Sequence, residues 1–274
     1  MTANSEFSPA TRFDVRGFAR TANGSHRDAI DLSDFESNRL SSDSLHAVSY
    51  LARLEGSTME HLRNLLVTAT HKDARVTAFL VTWAFEKFWI ADALDQVLLA
   101  NGRPASHDEP DEGKRRMTRS ESRERRGPIR RAILAIQQGV PIIAVHTTTG
   151  LIDEWITRVA YERLSAIAAS PALNAIITRL LAVKQRHADF FEDESRRRLA
   201  ESTSAVKQTR ASITHQAWPL GAIDRSAADR SFFESFAFGG GEGLDRAAEI
   251  AAKISSLPGL DPQIAGTVAR KLLP

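Results

Sequence analysis

DARVTAFLVTWAFEKFWIADALDQVLLA, residues 73–100, decides the fold class. Its large apolar side chains return every three or four positions, at Val76, Phe79 or Leu80, Trp83, Ile90, Leu94 and Val97. That is the period of a helix with one face in a core. Asn101-Gly102 and Pro104 then end it. Glu86 falls on the apolar stripe, between Trp83 and Ile90. A carboxylate there is costly unless it is paired or holds a metal.

Three more stretches repeat the pattern. A helix is expected from Ser42 or Asp43, with Val48, Leu51, Met59, Leu62 and Leu66 on one line and Glu55 among them. A third covers roughly Ile142–Ala169, its stripe carrying Leu151, Glu154, Arg158 and Tyr161. After the Ser170-Pro171 turn a fourth runs from about Ala172 past Leu199, through Ile177, Leu180, Lys184, His187 and Phe191. Glu55 and Glu86 are 31 residues apart, and Glu154 and Lys184 are 30 apart. Each interval suits a helix, a turn and a return to the same level, so two hairpins side by side could bring all four polar levels together. No stretch alternates like a strand, and the fold class expected is all-α.

These positions resemble the ferritin-like di-iron carboxylate proteins, and within them are most similar to the acyl-carrier-protein desaturases. That family places one Glu on each of two helices and a Glu-x-x-His on each of the other two. Glu55 and Glu154 match the lone glutamates. The segment from Trp83 to Trp89 stands where the first Glu-x-x-His belongs, and Lys184-Gln185-Arg186-His187 where the second belongs. Two positions depart from the pattern: Trp89 replaces a His and Lys184 replaces a Glu. The likeness covers about residues 43–200 and implies a ferritin-like four-helix bundle. It further implies a metal set of Glu55, Glu86, Glu154 and His187, with Lys184, Trp89, Tyr161 and Glu162 in the same central polar cluster.

Three carboxylates against one ammonium leave two negative charges, which a single divalent ion would offset. The alternatives are a metal-free ion-pair network, one iron or manganese ion towards helices 3 and 4, and a two-metal site completed by Asp92, Asp95 or Glu162. The cofactor expectation is therefore none, or one iron or manganese ion. The functional expectation is a scaffold with a degenerate metal centre that binds an apolar or acyl ligand or serves as a subunit. The competing expectation is an iron-dependent oxidoreductase acting on a lipid-like or carrier-bound substrate.

The rest of the chain sets the bounds. Its 274 residues contain no cysteine, which removes thiolate ligands and disulfides. A formal net charge of +2 argues against a nucleic-acid binder. No apolar run is long enough to span a membrane, and the first twenty residues lack the apolar core of a signal peptide, so a cytoplasmic protein is expected. Residues 1–40 show no sustained period and read as a mobile arm. Residues 103–127 read as a charged loop, and the basic run from Lys114 to Arg131 could receive an acidic carrier protein. Pro128 could open a short helical lead-in that Pro141 interrupts or kinks. Residues 203–274 read as a small helical extension, with a turn at Trp218-Pro219-Leu220-Gly221, a flexible break at Gly239-Gly240-Gly241 and two short helices, Gly243–Ser255 and Pro262–Leu272. The outer faces could support a homodimer.

Overall fold

The computed structural model describes residues 12–107 and 139–274. Most of the charged loop, the basic run from Lys114 to Arg131 and the lead-in at Pro128 lie outside these residues. Helices account for the regular structure, and no strand occurs among the described residues. None of the described helices is long and apolar enough to cross a membrane.

In chain order the helices are α1 (Val15–Arg20), α2 (Asp34–Ser37), α3 (Ser42–Gly56), α4 (Thr58–Leu66), α5 (Ala74–Ala100), α6 (Ile142–Ala168), α7 (Pro171–Glu201), α8 (Thr203–His215), α9 (Ala227–Phe238), α10 (Gly240–Ser255) and α11 (Pro262–Arg270). Local chemistry sets their ends. The side chains of Ser41, Asp73 and Ser170 accept from the amides of Ser44, Val76 and Leu173 at the starts of α3, α5 and α7, satisfying donors that a first helical turn leaves free. Pro171 occupies the first turn of α7, where its missing N–H is harmless.

Helix α3 packs on α5 and α6 on α7; α3 also meets α6, and α5 meets α7. The four form a closed ring around one hydrophobic core. Gly150 permits the close approach of α6 to α7: a Cβ there would lie 2.8 Å from Cζ of Phe191.

Several expectations are corrected. The first helix is not continuous from residue 43 to 66. It breaks at Ser57, which follows the weak helix former Gly56 and turns its hydroxyl back to the Leu54 carbonyl at 2.7 Å. Pro141 directly precedes the first residue of α6, and the lead-in it is expected to interrupt or kink lies outside the described residues. The 12–40 portion of the arm is packed, with Val15, Phe18 and Phe35 buried in the common core. Residues 203–274 are helical and pack against the ring. Helix α8 packs on α6 and α7, α9 on α3 and α6, and α10 on α6 and α11. Ile213, Phe233 and Ile254 join the same core. The glycine break is a tight α9–α10 junction: a Cβ on Gly243 would lie 2.1 Å from the Phe238 carbonyl carbon.

Candidate functional site

The ring of helices closes on a cluster of ionisable side chains. Glu55 comes from α3, Glu86 and Lys87 from α5, Glu154 from α6, and Lys184 and His187 from α7; all are buried. Lys184 Nζ lies 3.0 Å from Glu55 Oε1 and 2.7 Å from Glu154 Oε2. Lys87 Nζ lies 2.6 Å from Glu55 Oε2 and 3.3 Å from Glu154 Oε1. Each ammonium therefore bridges the same two carboxylates, and all four oxygens are engaged. The 2.6 and 2.7 Å contacts are close ion pairs whose angles fall outside hydrogen-bond geometry. Tyr161 donates its hydroxyl to Glu55 Oε1 at 3.0 Å, and the Trp83 indole N–H donates to Glu154 Oε1 at 3.2 Å.

Glu86 and His187 form the other half. His187 Nε2 is 2.7 Å from Glu86 Oε2, and Nδ1 faces Glu154 Oε1 at 3.6 Å. Glu86 Oε1 accepts the main-chain N–H of Asn23 at 2.7 Å and its side-chain amide at 3.0 Å. The Arg186 guanidinium stands 3.5 Å from the same oxygen.

Burial alone would push all three glutamates up, because a low-dielectric interior disfavours the charged form. Their partners reverse it. The Lys184 and Lys87 charges hold Glu55 below the ordinary carboxylate range and Glu154 well below it. The hydrogen bond and charge of His187, with the Asn23 donors, lower Glu86. Lys87 is raised: burial opposes its charge, but Glu154 and Glu55 overcome that. Burial, then the neighbouring Glu55 carboxylate, raises the Tyr161 phenol well above its usual value and keeps it a hydrogen-bond donor. Nearby Asp153 is pushed up to about 6, mainly by burial against the pull of Lys87, while its Oδ1 accepts the Leu220 amide at 2.7 Å.

The structure thus brings together Glu55, Glu86, Glu154, Lys184, His187 and Tyr161. It does not bring Trp89 or Glu162. Trp89 packs against Phe85 and Phe88 on the outer side of α5. Glu162 is half-exposed, with Arg158 and Arg246 each 3.7 Å away. The proposed substitute ligands are also elsewhere: Asp92 pairs with Arg27, and Asp95 accepts the Ser106 amide. Sequence reasoning missed Lys87 and Asn23. Lys87 follows Glu86 directly and is not one of the positions on the apolar stripe, but α5 is surrounded by α1, α3, α4 and α7, so its buried sector is wide.

These residues do not fit a two-metal centre. The space between Glu55 and Glu154, where bridging cations would sit, holds two ammonium groups. With Lys87 counted, three carboxylates face two ammonium groups and the net charge falls from two negative to one. Arg186 and His187 adjoin the carboxylate left over, Glu86. Among the described residues, no group of three or more His, Asp or Glu side chains is arranged to hold a metal ion. No family model, characterised protein or solved structure matches the chain.

Proposed function

We propose that the chain is a ferritin-like four-helix scaffold of the desaturase type whose central site works without a metal, and that its role is that of a subunit rather than a redox catalyst. The observation that carries this reading is the double bridge: Lys87 and Lys184 each contact both Glu55 and Glu154. A divalent ion binding there would have to displace a buried ammonium and leave it unpaired, which is strongly unfavourable. An apolar or acyl ligand between the helices is less favoured, because aromatic side chains already fill the interior. Phe191 lies edge-on to Trp83 at 5.6 Å and to Phe79 at 5.1 Å. The role therefore rests on the outer surface.

The second reading, an iron-dependent oxidoreductase with one ion on Glu86, Glu154 and His187, has one point in its favour: both ring nitrogens of His187 face those carboxylates. Against it, Asn23 and His187 already engage both oxygens of Glu86. Anaerobic incubation with iron(II) or manganese(II), gel filtration and elemental analysis distinguish the two. The expected content is below about a tenth of an equivalent per chain, since no preformed ligand set is free. One tightly held equivalent, lost in His187→Ala, would establish the oxidoreductase reading instead.

A further inference from the structure

The polar cluster is sealed on its Glu86 side by the N-terminal segment. Helix α1 ends at Arg20, and no helix or strand spans residues 22–26. This strap runs from α1 towards the 3-10 turn Arg27–Ala29. Side chains fasten it at three points. Arg186 on α7 donates to the carbonyls of Phe18 (3.2 Å) and Thr21 (3.1 Å) and to the Thr21 hydroxyl (3.1 Å). Asn23 donates twice to Glu86. Arg27 grips both carboxylate oxygens of Asp92 on α5, at 3.0 and 2.5 Å.

We propose that this strap is the gate of the buried cluster. Its release is the route by which solvent and small polar solutes reach Glu86 and His187. Three observations support the assignment. Glu86 and His187 have no exposed surface, and the residues covering Glu86 are Asn23 and Arg186, both themselves partly exposed. The strap is held by side-chain bonds without a helical or sheet ladder, and segments of that kind open locally at lower cost than the core. The closed state also contains a built-in penalty: His26 is 2% exposed and its Nε2 has no hydrogen-bond partner. Release would return that nitrogen to water. On the opposite side Glu55 and Glu154 are backed by Tyr161 and Trp83, which offer no comparable detachable cover. The inference does not depend on the metal-free reading, because the strap covers Glu86 whether or not an ion is bound.

The test is residue-resolved modification of the full chain by diethyl pyrocarbonate, read by peptide mass spectrometry. In the unaltered protein His187 should react far more slowly than the exposed His71. Asn23→Ala, which removes one hydrogen bond to the charged Glu86, should accelerate modification of His187 about tenfold, and Arg186→Ala, which removes three bonds to the strap, by at least as much. His146, which pairs with Thr70 at 2.8 Å away from the strap, should keep its rate. Arg27→Ala loosens the strap at the surface without touching Glu86 and gives the same sign, with a smaller increase, should the Arg186 variant fail to fold. If His187 keeps its slow rate in the folded variants, or speeds up only in step with His146, the strap is not the gate. Metal analysis of the same samples reports separately on the proposed function.

Discussion

Replacing Lys87 with Met tests the central assignment most directly. Methionine keeps most of the side-chain volume, so the cavity contribution is small. What is lost is the charge 2.6 Å from Glu55 and 3.3 Å from Glu154. Removing one partner of a buried ion pair leaves an uncompensated charge and costs about 3–5 kcal/mol. For 274 residues the unfolding entropy is roughly 0.6 kcal/mol/K, so Tm should fall by roughly 5–9 °C. Adding Glu55→Gln returns the cluster to its original single negative charge. The double variant should recover to within about 1–2 kcal/mol of the parent, a strongly non-additive cycle. Urea and thermal denaturation at pH 7, followed by circular dichroism, supply the four corners. A Lys87→Met cost below about 1 kcal/mol, or an additive cycle, would refute the claim that this ammonium bridges the carboxylates.

Glu194 gives a pH prediction. Burial pushes its carboxyl up, but hydrogen bonds from Arg75, Arg197 and Arg12 and the charge of Arg198 bring it down to about 2. A carboxyl lowered on folding contributes stability that is complete above its unfolded value near 4.5 and is lost as pH falls towards 2. Glu194→Gln should therefore cost at most about 3 kcal/mol at pH 7 and almost nothing near pH 2, and a flat difference across denaturation curves over that range would count against it. Gly150→Ala should destabilise by about 1–3 kcal/mol through overpacking against Phe191, measurable as a shifted urea midpoint; an unshifted midpoint would mean that α6 and α7 are not so close. Lys184→Glu alone should not gain manganese(II), because Lys87 still bridges the site, whereas Lys184→Glu with Lys87→Ala should, as loss of the free-ion resonance will show; a gain in the single variant would place Lys87 outside the cluster.

Helical period was strong enough in residues 73–100, 142–169 and 172–199 to place Glu86, Glu154, Lys184 and His187 on buried lines. Those lines do meet. The failures have distinct physical origins. Met59 and Leu66 continue the phase of Leu51, so the period itself did not register the break at Ser57, where a side-chain hydrogen bond and a neighbouring glycine act. Trp89 was placed at the centre because a family pattern puts a ligand there. Trp83 instead reaches Glu154, and Trp89 turns outward to Phe88. Residues 12–40 bury only scattered side chains such as Val15, Phe18 and Phe35. Their contacts with α5 and α7 are long-range and leave no local periodic trace. Helix α8 is absent from the sequence reading for a related reason: it buries only Ala205, Thr209 and Ile213, too few for a conspicuous stripe.

Lys87 changes the argument about the site more than any other residue. Counting Lys184 alone leaves two negative charges in the core, and a divalent ion becomes an attractive way to balance them. Adding Lys87 removes half of that excess, and the remaining charge sits on Glu86, beside His187, Arg186 and the Asn23 amides. Glu55 and Glu154 then share the two ammonium groups, and Glu86 has its own donors. Two ammonium groups bridging Glu55 and Glu154 do the electrostatic work that bridging cations would do, but with fixed side chains that cannot exchange ligands or change oxidation state. A core built this way ties four helices together through paired charges. Glu86 and His187 are themselves fully buried, so under the proposed gating any chemistry that the interior retains would begin there only when the strap over Glu86 is released.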